Sequence, residues 1–157
     1  MWADAFTLNG PMTTPRRIRP AAIAWVFIGG TVGTAIRAGI TAIAIPPTNL
    51  PITTALINIV GAFLLGLLLE LLALRPLPGR SGTDLKLLLG TGVLGGFTTY
   101  SALAVDTVLL ATGVSTAAAI GYAVGTLVLG AVATAAGIIL ATVISRQPSP
   151  RSSDSQR

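Results

Sequence analysis

The chain has 157 residues, 52% of them hydrophobic and only 10% charged, with a formal net charge of +5 and a mean hydropathy of +0.82. A soluble domain carries about 25% charged residues, so this composition cannot cover a surface in water and points to the bilayer as solvent. Cys and His are both absent, which excludes disulfides, thiolate and imidazole metal sites, and every Ser-His or Cys-His nucleophile. Asp4 and Asp154 lie in the tails and Asp84 in a loop, so paired-carboxylate chemistry has almost nothing to work with and no enzyme is expected. All but one of the ten basic residues sit in tails and one loop without interleaved aromatics, which argues against nucleic acid as a partner.

Residues 1–20, MWADAFTLNGPMTTPRRIRP, are polar and Pro-punctuated and read as a disordered arm. Four apolar stretches follow, Ala21–Ile45, Ile52–Leu74, Leu85–Thr112 and Thr116–Ile144. Each exceeds the roughly 20 residues needed to cross the hydrocarbon core. Backbone groups in lipid must be satisfied internally, so each stretch is expected to be helical. The fold class is therefore all-α, a membrane subunit over residues 21–144. The linkers carry breaker chemistry: Pro46, Pro47 and Pro51 in the first, Pro76, Pro78 and Gly79 in the second, Gly113 in the third. The tail over residues 145–157 is low-complexity and reads as disordered. Small residues recur at four-residue spacing at Gly29 and Gly33, at Gly121 and Gly125, and along Thr126, Gly130 and Thr134. Such faces allow close helix contact in a membrane.

The charges are distributed asymmetrically. Arg16, Arg17 and Arg19 precede the first span, Arg75, Arg80 and Lys86 surround the loop between the second and third, and Arg146, Arg151 and Arg157 follow the fourth. The other two loops hold no Lys or Arg. The positive-inside rule then places both termini and the middle loop in the cytoplasm. Trp25, near the inner end of the first span, fits an interfacial anchor.

Ionisable groups inside a membrane each cost about 2.5–3.5 kcal/mol near its centre. Glu70 lies close enough to a span end to reach the interface, whereas Arg37 and Asp106 fall in the outer halves of spans one and three. Either they pair or share an aqueous vestibule, or they form a local ion pair without a transport role. Asn58, in the run ALINIVGAF, brings an amide with two donors and one acceptor oxygen. It serves either a helix–helix hydrogen bond or an anion. Tyr122, Thr126, Gly130 and Thr134 share one face of the fourth span. Their hydroxyls either bond their own helix or form a ladder that replaces water around a small ion.

The segment GTGVLGGFTTYSALAVD, Gly90–Asp106, places a glycine pair and a Thr-Thr-Tyr-Ser run inside the third span. One reading is a glycine-rich packing face in an unbroken helix. The other is a helix broken near its middle, which frees carbonyls from the first half and N–H groups from the second. Such discontinuous helices mark ion sites in membranes.

Four blocks resemble the small bacterial fluoride channels called Fluc or CrcB: GGTVGTAIR (Gly29–Arg37), ALINIVGAFLLG (Ala55–Gly66), GVLGGFTTYSALAVD (Gly92–Asp106) and the Tyr122 ladder. The third block is the most specific, and the resemblance covers about residues 25–140. It implies an antiparallel dimer of four-helix subunits in the plasma membrane, with fluoride paths along the dimer interface and passive fluoride efflux as the activity. It implies a structural Na⁺, not transported, held by the backbone carbonyls of Gly95 and Thr98 from each subunit. By position, the family's pore asparagine becomes Asn58, and its polar track becomes Tyr122, Thr126, Gly130 and Thr134, with Gly130 lacking a hydroxyl. The two pore phenylalanines become Tyr100 and Leu103, and Leu103 brings no aromatic edge. Hydroxyls, an amide and ring edges suit fluoride, a small ion whose hydration must be replaced by dense donors.

An antiparallel homodimer requires one sequence to insert both ways, and the strong charge bias commits this chain to one orientation. The expected assembly is thus an antiparallel dimer, with itself or with a homologous subunit of opposite bias. Two other classes compete. A non-conducting assembly subunit would tolerate Leu103, and a small proton-coupled exporter would need a carboxylate in span one, where this chain has Arg37.

Overall fold

The structure, a computed structural model, describes residues 19–44 and 50–146. The arm and tail read as disordered fall almost wholly outside these residues. Four helical spans are present: α1 (Pro20–Ile43), α2 (Ile52–Leu74), a composite third span over Ser81–Gly113, and α6 (Thr116–Ser145). No strand occurs among the described residues.

Local chemistry sets the ends. Pro20 opens α1, where its missing N–H and fixed φ cost nothing. Ser115 caps α6, its side chain accepting from the Ala118 N–H at 3.1 Å. Gly79 turns the chain between α2 and the third span at φ 64, the only positive φ among the described residues.

The third span is not uniform. It opens with α3 (Ser81–Leu85), widens into a π-helical stretch over Lys86–Leu94, tightens into α4 (Gly95–Phe97) and continues as α5 (Tyr100–Gly113). Between α4 and α5, Thr98 (φ −75, ψ 155) and Thr99 (φ −148, ψ 113) take extended dihedrals. The span bends at these residues. Its first half packs chiefly on α1, and α5 packs on α6, while α2 and α6 form the most extensive helix pair.

Close backbone approach makes these pairings possible. A Cβ at Gly33 would overlap the Val93 carbonyl, and one at Gly92 would lie 2.8 Å from the Gly29 Cα. The π-helical stretch therefore lies directly on the Gly29/Gly33 face of α1. On the α2–α6 seam, a Cβ at Gly137 would overlap the Phe63 carbonyl and sit 2.8 Å from the Leu67 N. The Gly121/Gly125 pair behaves otherwise: a Cβ at either position meets open space, with nothing within 4 Å.

The basic segments meet at one end of the bundle. Arg19 donates to Asp84 at 3.2 Å, the one ion pair among the described residues, and Arg75 donates to the Ile144 carbonyl at 3.4 Å. The rest of the surface is broadly apolar, with Phe27 73% and Leu127 62% exposed, as lipid or a partner subunit requires.

Gly33→Val should cost about 1–3 kcal/mol, toward the upper end because the obstacle is backbone. Gly39, around which a Cβ finds open space, should accept Ala with a change of at most about 1 kcal/mol. Thermal unfolding of both variants in detergent, read by loss of the monodisperse gel-filtration peak, checks the contrast.

Candidate functional site: an open cavity at the bend of the third span

Where the third span leaves helical geometry, its backbone groups need other partners. The Thr98 N–H and hydroxyl both donate to the Leu94 carbonyl, at 3.0 and 2.9 Å. The Thr99 N–H donates to Asn58 Oδ1 at 2.7 Å, and Asn58 Nδ2 donates to the Thr99 carbonyl at 3.0 Å. Asn58 thus grips both backbone groups of one residue, as a neighbouring β-strand would. The Thr99 hydroxyl caps α5, accepting from the Ala102 N–H at 3.2 Å, and lies 3.2 Å from the Ser101 hydroxyl.

These bonds divert the donors that a continuous helix would send to Gly95 and Thr98. The Gly96 carbonyl instead accepts from Arg37 Nε at 3.2 Å and Thr34 Oγ1 at 3.4 Å. Among the described residues, no hydrogen bond reaches the carbonyl of Gly95 or Thr98.

An open cavity of ≈ 320 Å³ lies beside this bend, lined by Asn58, Thr98, Tyr100, Leu103, Thr126 and Gly130 among others. Thr126 and Leu103 are buried, whereas Tyr100 is 80% exposed at the rim. Six of the residues marked in the sequence are thereby gathered round one space. The others lie elsewhere. Tyr122 donates to Asp106 at 3.3 Å and to the Pro51 carbonyl at 3.4 Å. Thr134 donates to the Ala62 carbonyl at 3.2 Å and the Gly130 carbonyl at 3.0 Å, which ties α6 to α2.

Several sequence-level alternatives separate here. Arg37 and Asp106 do not pair within the chain: Arg37 serves Gly96 and Asp106 accepts from Tyr122. The Asn58 amide makes an inter-helix bond, and its second N–H remains beside the cavity. The hydroxyl protons of Thr126 and Thr134 go to backbone carbonyls in this conformation, Thr126 to Tyr122 at 2.8 Å. Sequence reasoning missed the capping role of Thr99 and the Gly96 carbonyl as a shared acceptor. A Thr immediately before a new helical run was a readable cap signal; the acceptor was not readable, because it depends on how α1 crosses the third span.

Fold and site together define a multi-pass α-helical membrane protein whose third span bends beside a polar-edged cavity. Residues 24–138 match the family described as CrcB-like protein, Camphor Resistance (CrcB). Over 120 residues the chain is 51% identical to a protein of Leifsonia xyli subsp. xyli named Fluoride-specific ion channel FluC 2, covering 76% of this chain and 82% of that one. It is 42% identical over 114 residues to the Fluoride-specific ion channel FluC of Paracoccus denitrificans, covering 72% and 88%. A FluC 1 of Cutibacterium acnes is 46% identical over 96 residues, covering 56% and 62%. The chain belongs to the CrcB family, and its relatives are named as channels rather than as enzymes.

Asn58→Ala would leave the Thr99 N–H and carbonyl without partners and should cost about 2 kcal/mol or more. Amide hydrogen exchange should accelerate at Thr99 while the amides of α6 keep their protection.

Proposed function

We propose that this chain is a subunit of a fluoride-conducting channel that lets fluoride leave the cell passively. The observation that carries the reading is the cavity at the bend, where an amide, hydroxyls and an aromatic side chain converge in a span otherwise built of apolar residues. The names of the relatives supply the ion.

In this reading the ion passes Asn58, Tyr100, Leu103 and Thr126, with Tyr122 and Thr134 continuing the track along α6. The free Asn58 N–H is a donor aimed at a dehydrated anion, and the tyrosine ring edge carries partial positive charge. A threonine hydroxyl joins by rotating its proton from its helix carbonyl toward the ion. Weak donors at several sites suit conduction better than one fixed cation in the path.

The extended residues Thr98 and Thr99 act as the working break. The carbonyls of Gly95 and Thr98 have no donor among the described residues, and hard cations take oxygen ligands. These two groups from each of two antiparallel subunits would hold a structural Na⁺. When bound, that ion satisfies carbonyls that lipid cannot and leaves positive charge between the pores.

Tyr100 stands exposed beside Ser101, another exposed polar residue, which lipid would penalise. A second subunit covering this face removes that penalty. The charge bias favours a homologous partner inserted the other way, with both termini of this chain in the cytoplasm and the assembly in the plasma membrane. The use of both FluC 1 and FluC 2 as names among relatives fits genomes that carry paired subunits.

A second reading, a non-conducting assembly subunit, is favoured by Leu103. It is 6% exposed and lines the cavity with an aliphatic side chain.

Fluoride-electrode efflux from proteoliposomes decides between them. The chain with an oppositely biased homologue should release fluoride at least about tenfold faster than the chain alone, as expected where one orientation is favoured by about 1.4 kcal/mol or more. Rapid flux from the lone chain would remove the need for a partner, and no flux in either arm would reject the channel. Leu103→Phe should raise flux in the paired assembly if the pore through this residue conducts; no change would support the assembly-subunit reading.

A further inference from the structure

Arg37 is the one charged residue inside α1, and it has no carboxylate partner among the described residues. A guanidinium inside a membrane is costly and is retained where it does something. Its recorded bond is specific: Nε donates to the Gly96 carbonyl at 3.2 Å. In a continuous helix this carbonyl would take the Tyr100 N–H. The extended residues Thr98 and Thr99 remove that donor. Thr34, one turn earlier on α1, supplies a second and longer bond to the same oxygen at 3.4 Å.

Gly96 sits between the two residues whose carbonyls stay free, and its own position is tightly set. A Cβ there would overlap the Gly30 carbonyl and lie 3.0 Å from Thr34 Oγ1. The last turn of α4 is thus fastened to α1 at one carbonyl while its neighbours at Gly95 and Thr98 remain available.

We infer that Arg37 is a positioning residue for the cation cradle: through Nε it takes the Gly96 carbonyl out of the set that could turn toward the ion and fixes the geometry of the Gly95 and Thr98 carbonyls. This rests on the cradle described under the proposed function. The role belongs to the hydrogen bond and not to the charge. Glutamine offers a separating probe, because its Nε2 lies the same number of bonds from Cα as arginine Nε but carries no charge. Methionine has similar length and no donor.

The test uses the full-length protein in detergent, its melting temperature titrated with NaCl against N-methylglucamine chloride at constant ionic strength. The wild type should melt higher as Na⁺ rises, with a defined midpoint. Arg37→Met should move that midpoint to about tenfold higher Na⁺, the size of one lost hydrogen bond, while Arg37→Gln should stay within about twofold of wild type. If Arg37→Gln is displaced as far as Arg37→Met, charge is what matters and the inference is overturned. If both variants melt lower but keep the wild-type midpoint, Arg37 is only a packing residue and the inference is likewise overturned. A wild type that ignores Na⁺ removes the cradle itself and the inference with it, a result distinct from any variant difference. Should Arg37→Met fail to fold, Thr34→Val removes the longer bond to the same carbonyl and should raise the midpoint about threefold; an unchanged midpoint there overturns the inference.

Discussion

A backbone N–H or carbonyl without a partner costs several kcal/mol in hydrocarbon, and the third span confronts that cost at Thr98 and Thr99. Its answer is side-chain substitution. Asn58 from α2 takes both backbone groups of Thr99, and Arg37 and Thr34 from α1 take the Gly96 carbonyl. Two neighbouring helices therefore hold the bend from opposite partners.

The remaining architecture serves that arrangement. Glycines at 29, 33 and 92 let α1 approach the third span at backbone contact, which is the distance Arg37 and Thr34 need to reach Gly96. The α2–α6 seam, closed by Gly66, Gly137 and the Thr134 hydroxyl, positions Asn58 and Thr126 on the two sides of the cavity. Packing drives these contacts because lipid offers no hydrophobic gain between helices. The face around Tyr100 remains exposed.

Much of this was legible from residue pattern. Span number, the ends of α2, the glycine face of α1 and the unusual character of Gly90–Asp106 all follow from hydropathy and small-residue spacing. The partners of individual polar groups were not. Arg37 and Asp106 invited each other as opposite charges, yet each found a nearer partner, a carbonyl and a phenol. The Tyr122 ladder looked continuous on a helical wheel, but only Thr126 and Gly130 of it face the cavity. Thr134 is turned to the α2 seam.

By itself, the sequence determined that the chain is a membrane protein of four helices with one irregular span, because hydropathy, length and glycine content act locally along the chain. It also determined which end of the bundle is basic, since charge position is written residue by residue. Only the tertiary structure decided that Asn58 spends its amide on Thr99, that Arg37 serves Gly96, and that six of the marked residues surround one cavity. Those outcomes depend on helix crossing, where a shift of one turn changes every partner, and no local pattern encodes that crossing.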